Sequence, residues 1–335
     1  MLDSRKTGLF LTIFIIISIF FAIIILIKKE IKEKAKSKEI FSIISPGIRT
    51  YPKDTIVYLN IFSPIYYENE GLYRGLKEEG VLDWIERLES IEDNPNVKAV
   101  ILRINSPGGA IAATQELYNK IKKLKEKGKK IIVSVGDIAA SGAYYISCAA
   151  DYIIANPGSL VGNIGVIIAN LELEEFLKKL GISYNVIKSG NNKDILSSYR
   201  KMTQEERDIL SNLVMDAYNQ FLNAVKEGRN ISKEKLKFIA DGRIFTGNQA
   251  LENKLIDRIG DFKDAIEYTK EICNIKGKPN VFELKETTPT LLKYLVSYFN
   301  YSFNKTFDLL YLKKSVIKIP NSYSPIHYLY LYNYN

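Results

Sequence analysis

A serine at a small-residue turn, a pair of glycines ahead of it and a lysine behind it are the residues of this chain whose types and order could carry out chemistry. Ser141 lies in Gly136-Asp-Ile-Ala-Ala-Ser-Gly-Ala-Tyr-Tyr-Ile146, where a buried run from Lys130 to Val135 leads into a predicted helix. A hydroxyl held there lies close to unpaired amide N–H groups and the positive end of a helix dipole, which suits a nucleophile. The same placement suits an ordinary helix cap, because serine is a preferred N-cap residue. Gly108 and Gly109, in Asn105-Ser-Pro-Gly-Gly109, follow another buried run and open a second helix. Paired glycines let a carbonyl approach the backbone while amides point at it, as an oxyanion hole requires, and they also serve a tight strand-to-helix turn. Ser106 is an alternative nucleophile, poorly placed directly before proline.

The third element is Lys188-Ser-Gly-Asn-Asn-Lys-Asp-Ile195. A lysine acting as a general base must be neutral, which takes burial or cationic neighbours. Lys193 follows a flexible Gly-Asn-Asn segment and precedes the apolar pair Ile195-Leu196, so it could be carried into a cleft. Composition narrows the partners further. The single histidine, His327, stands in a tyrosine-rich tail far from the glycine turns, so a serine hydrolase here is expected to use lysine. Cys148 and Cys273 belong to no C-x-x-C pair and read as core thiols. No metal or other cofactor is expected, since the chain has no H-E-x-x-H or EF-hand pattern.

These residues need elements to position them. Asp54 to Phe62 and Val97 to Ile104 read as strands, as do Lys130 to Val135, Asp151 to Ala155 and Ile182 to Ile187. Helical spacing marks Val81 to Ile91, Ala110 to Lys127, Leu171 to Leu180, Gln204 to Glu227, Ser232 to Ala240 and Phe262 to Ile275. Strands alternating with helices predict an α/β fold with parallel strands.

Residues 9–27 are apolar apart from Thr12 and Ser18, and as a helix would be about 28 Å long, enough to span a membrane. The expected organisation is an N-terminal flank at 1–8, a transmembrane helix at 9–27, a charged tether at 28–53, a catalytic domain at 54–277 and a tyrosine-rich extension at 278–335. Leu291, Leu292, Leu295, Val296 and Phe299 fit one face of a helix in that extension. The formal charge of +9 comes from lysines spread among glutamates and densest after residue 27, a membrane-flanking pattern, so no nucleic-acid partner is expected.

Leu102-Arg-Ile-Asn-Ser-Pro-Gly-Gly109, the Ser141 segment, Gly158-Ser-Leu-Val-Gly-Asn-Ile-Gly165, the Lys193 segment and Gly242-Arg-Ile-Phe-Thr-Gly-Asn-Gln-Ala250 occur in this order. Together they resemble the signal peptide peptidase A family of membrane-anchored serine-lysine proteases. The resemblance spans roughly Asp54 to Ile275 and implies a Clp protease/crotonase-like β-α superhelix behind one N-terminal transmembrane helix. It implies Ser141 as nucleophile, Lys193 as base with Lys188 the weaker choice, and the Gly108 and Gly142 amides as oxyanion hole. It also implies a ring-shaped homo-oligomer and, as substrates, cleaved signal peptides and other hydrophobic or unfolded peptides. The family has a lysine-orienting serine where this chain has Asn163, whose amide oxygen could accept the same hydrogen bond.

Two other readings stay open on the sequence. A crotonase-like acyl-CoA enzyme would use the same glycine turn, and an inactive membrane scaffold would keep the fold without the chemistry. The lysines after residue 27 argue for a cytoplasmic domain by the positive-inside rule. The resemblance implies the outer face of the cell membrane, and that is the location expected here.

Overall fold

A computed structural model describes residues 50–70, 77–285 and 327–329. The predicted span at 9–27, most of the tether and the predicted helix at 291–299 lie outside the described residues. Among the described residues no helix is long and apolar enough to cross a membrane.

In chain order the elements are β1 (Thr55–Ile61), β2 (Asn69–Glu70), β3 (Lys77–Glu78), α1 (Val81–Glu92), β4 (Val97–Ser106), β5 (Gly108–Ala110), α2 (Ile111–Glu126), β6 (Lys130–Ala140) and α3 (Gly142–Ser147). They continue as β7 (Tyr152–Ala155), β8 (Leu160–Gly162), α4 (Glu174–Lys179), α5 (Gln204–Arg229), α6 (Lys233–Ile239), β9 (Ile244–Thr246), α7 (Gly247–Glu252), β10 (Arg258–Ile259), α8 (Phe262–Ile272), β11 (Asn280–Glu283) and β12 (His327–Leu329). The main sheet runs β10-β7-β6-β4-β1-β11, all parallel, with β8 branching from β6 and β9 antiparallel to β8. The α/β class holds, with one antiparallel pair in an otherwise parallel sheet.

Its central strands are apolar on both faces because both are covered. Val57, Leu59, Val100, Leu102, Ile104, Val133 and Val135 point into the larger core with Trp84, Leu88, Leu117, Ile121, Tyr144 and Phe221. The alternate residues Ile56, Ala99, Ile101 and Ile132 face α8 through Ala265 and, partly buried, Ile266 and Ile272. Period-2 alternation thus builds two cores from one set of strands.

Leu171 to Leu180 forms a helix only over α4, none of whose residues is buried. Ile182 to Ile187 is a correction: it is not a strand, and its residues are exposed, Ile187 completely.

Glu92 closes α1 against Lys120 of α2, both side chains nearly buried, with Lys127 at 2.8 Å and Lys123 at 3.4 Å. Hydrogen bonds from Lys120 and Lys127 hold its carboxyl down at about 2, below the usual unfolded value of about 4.3. A depressed carboxylate stabilises the fold above its unfolded pKa and loses that contribution as the pH falls towards the folded one. Glu92→Gln should therefore lower the melting temperature at pH 7, and the gap from wild type should narrow between pH 5 and pH 2.5 in a fluorimetric melt.

Candidate active site

Ser141 is placed by a bend in β6. The first half of that strand pairs with β7, Ile132 to Val135 against Tyr152 to Ala155, while Ile138 to Ala140 pair with β8. The switch follows from a register shift: Ile104 faces Val135, but Ser106 faces Ala139. Asn105 fills the gap, its Oδ1 accepting from the amides of Asp137 at 2.9 Å and Ile138 at 3.0 Å. Strand β6 thereby delivers Ser141 beside Gly162, whose carbonyl accepts the Ser141 amide at 2.8 Å.

At Ser141 the backbone has φ 54° and ψ −123°, a conformation that favours glycine. The residue is buried, and its hydroxyl makes no capping hydrogen bond to α3. Of the two roles open to a serine at this turn, the cap is therefore the one not played. Strained backbone of this kind clusters at active sites, ligand clamps and switch regions.

Gly108 and Gly109 lie against this turn. A Cβ on Gly142 would come within 2.7 Å of Thr114 Oγ1, 3.2 Å of the Gly109 nitrogen and 3.5 Å of Gly108 Cα. The two glycine turns are thus in contact, and Gly142, as first residue of α3, has an amide without an intrahelical acceptor. Gly108 has φ 100° and forms the start of β5, with its carbonyl accepting from the Ile65 amide at 2.9 Å. Its own amide donates to Ser106 Oγ over a long 3.3 Å. Ser106 Oγ is engaged by this amide, so it braces the turn, whereas the Ser141 hydroxyl has no such capping bond. A Cβ on Gly109 would lie 2.2 Å from the Ile65 carbonyl oxygen. Gly109→Ala is expected to push β5 off Ile65 and cost at least about 100-fold in kcat, the scale of one lost oxyanion donor, with a lower melting temperature in the same preparation.

Strand β5 also has an open side, and the chain fills it. Residues His327 to Leu329 pair antiparallel with Ala110, Gly109 and Gly108 in turn. A short glycine strand beside the serine thus accepts an extended backbone.

Lys193 sits on a turn-rich, exposed segment. The structure of the single chain makes no hydrogen bond between its ammonium and Ser141, and among the described residues that ammonium has no ion-pair partner. Its neighbours, by contrast, are tied down. Asp194 takes Lys188 at 2.7 Å and Arg200 at 2.8 Å, and Arg200 reaches on to Glu206. These cations hold the Asp194 carboxyl well below its usual range, and Arg200 with the Thr203 amide does the same for Glu206, at about 2. Glu206 completes a capping box with Thr203 at the start of α5. Lys188 is therefore a structural cation that anchors the segment, and Lys193 is the one left free by it.

Asn163 follows Gly162 with φ 50°, a left-handed conformation that asparagine tolerates better than most side chains. Its Nδ2 donates to the Gly242 carbonyl at 2.6 Å, which leaves Oδ1 as the side chain's acceptor. Beside it opens a cavity of about 370 Å³ lined by Ile164, Val166, Ile167, Met215 and Tyr218 among others.

The Peptidase family S49 description matches residues 123–276 of the chain, and that of Clp protease matches residues 57–159. A Synechocystis protein provisionally named a protease is 45% identical over 191 residues, covering 57% of this chain and 68% of its own length. A protein of Enterococcus faecium, provisionally named signal peptide peptidase SppA, is 34% identical over 267 residues, 80% of this chain and 70% of its own. The chain belongs to peptidase family S49. It is a serine protease, and the resemblance seen in its five motifs is upheld. Serine protease SPPA of Arabidopsis thaliana chloroplasts is also similar, 33% identical over 210 residues, covering 62% of this chain and 31% of its own.

For an S49 protease, the α/β sheet described above is consistent with a Clp protease-like domain. Membership in the family selects peptide hydrolysis over the acyl-CoA chemistry that the same glycine turn could serve. Three features of the protease were not evident from its motifs. Asn105 was read as part of a turn and is the residue that bends β6. The sequence predicts a turn at Gly108 and Gly109 and a helix from Ala110, and the three residues form a strand. Thr114 was read as part of an amphipathic helix and stands at the junction of the glycine turns. Cys148 is buried, which pushes its thiol up to about 12, and Cys273 is half-buried; both are free thiols. Among the described residues no cluster of three or more His, Cys, Asp or Glu could hold a metal ion.

Proposed function

We propose that this protease is an endopeptidase with a Ser141–Lys193 dyad, anchored to the cell membrane by residues 9–27 with the protease domain on the outer face. The observation that carries the reading is the strained, buried Ser141, uncapped and set against Gly108, Gly109 and Gly142. The Lys193 side chain, as general base, takes the Ser141 proton as Oγ bonds to the scissile carbonyl carbon. The resulting oxyanion rests on the Gly108 and Gly142 amides, the former released from its long bond to Ser106. Collapse breaks the C–N bond, the lysine returns the proton to the leaving amine, and water hydrolyses the acyl-enzyme. Asn163 Oδ1 orients the lysine ammonium.

A peptide enters as an extended strand on β5, the geometry that residues 327–329 already adopt. The apolar cavity beside Asn163 suits hydrophobic substrates such as cleaved signal peptides. Lys193, exposed in one chain, reaches Ser141 of a neighbouring copy in a ring-shaped homo-oligomer. Supporting this, the segment carrying it exposes Leu171, Phe176, Leu180, Ile182 and Ile187, an apolar surface unusual for a monomer.

The test mixes two inactive variants, Ser141→Ala and Lys193→Ala, after dissociation and reassembly. A dyad built across subunits regains peptidase activity on mixing. Activity that stays absent, with each variant assembled as wild type, would place both residues in one chain.

A further inference from the structure

Thr114 lies in the first turns of α2, completely buried, and its Oγ1 has no hydrogen-bond partner among the described residues. A threonine inside a helix ordinarily returns its hydroxyl to the carbonyl four residues back, here Ala110, and Thr114 does not. Leaving a buried hydroxyl unpaired costs about 1–3 kcal/mol. Two other buried hydroxyls of this fold do have such bonds: Ser147 to Ala143 at 2.7 Å and Thr269 to Ala265 at 2.6 Å. The exception falls where Oγ1 would stand 2.7 Å from a Cβ on Gly142, with the Gly109 nitrogen 3.2 Å from that same point. The orphan hydroxyl is therefore aimed at the junction of the two oxyanion glycine turns.

We propose that Thr114 is a positioning residue of the oxyanion hole. Its hydroxyl makes a hydrogen bond to the glycine backbone at this junction in the reacting complex, one that is absent in the resting enzyme. That bond fixes the spacing of the Gly108 and Gly142 amides as negative charge develops. An interaction made only in the transition state raises kcat and leaves KM alone. Cost and benefit thus separate in the two states: the hydroxyl destabilises the resting fold and stabilises the reaction.

This inference rests on Ser141 being the nucleophile, and the experiment distinguishes the two. Wild type, Ser141→Ala, Thr114→Val and Thr114→Ser are compared for peptide hydrolysis and thermal melting. Valine keeps the shape of threonine without the hydroxyl, so Thr114→Val should melt no lower than wild type. Its kcat should fall about threefold to tenfold, the worth of one neutral hydrogen bond, with KM unchanged. Serine keeps the hydroxyl, so Thr114→Ser should retain the wild-type kcat even where the lost methyl lowers its melting temperature. A Thr114→Val enzyme with wild-type kcat, or a Thr114→Ser enzyme as slow as the valine variant, overturns the proposal. Turnover that persists in Ser141→Ala would instead overturn the reading on which it rests.

Discussion

Ser141→Ala is expected to abolish peptide hydrolysis, with kcat lower by about 10⁴- to 10⁶-fold, the range found when an activated serine is removed. The loss should come without unfolding, because the hydroxyl makes no capping bond whose removal would be felt. Ser141→Gly sharpens the expectation. At φ 54° and ψ −123° alanine retains the backbone strain of serine, whereas glycine relieves it. The glycine variant should be as inactive as the alanine variant and more stable than it by about 1 kcal/mol, since strain of this kind costs about 1–3 kcal/mol and glycine gives part of it back in unfolded-state entropy. Denaturant titration of the two variants measures the difference. Equal midpoints would mean that the strain at this position is not stored in the backbone.

Lys193→Ala should also be severe, lowering kcat by about 10²- to 10⁴-fold, the contribution of a positioned general base. Arginine offers the stricter comparison. It preserves charge and reach but cannot give up its proton, so Lys193→Arg should be as inactive as alanine. A merely structural cation would be rescued by arginine. Lys188 supplies the control, because its ion pair with Asp194 at 2.7 Å is a job that arginine can do. Lys188→Arg should keep most of the activity, and Lys188→Ala should lose some of it by loosening the segment that carries Lys193. Initial rates with a fluorogenic peptide, together with labelling by a fluorophosphonate, read all four variants.

Much of the fold can be read from local pattern. The strands at Thr55, Val97 and Lys130 are long apolar runs with both faces buried, and the helices that cover them have regular spacing and clear ends. Ile182 to Ile187 shows where local pattern fails. Its alternation is that of a strand, yet the described sheet already runs from β10 to β11 without it, and its apolar residues face outward. Alternation alone does not distinguish a face covered within the chain from one left exposed. The site was legible in its types, since Ser141, Gly108 and Gly142 converge as their motifs suggest. It was not legible in its supports. The bend in β6 depends on a register shift between strands about thirty residues apart, with Asn105 bonded to Asp137 and Ile138. The resting hydroxyl of Thr114 depends on a turn that follows it by nearly as many positions. Long-range register leaves no local trace in composition.

The pairing of residues 327–329 with β5 would make the peptide binding proposed for this edge a competition. The tail is covalently tethered, so it is present at an effective concentration that dilution of the enzyme does not change. A peptide seeking the same backbone partners must displace it, and the observed affinity is the intrinsic one reduced by the fraction of time the edge is vacant. Short or weakly pairing peptides feel this most, while long extended chains that gain additional contacts overcome it. On the proposed mode of peptide binding, the tail would set a threshold on chain length and extension that no pocket for a single side chain could impose.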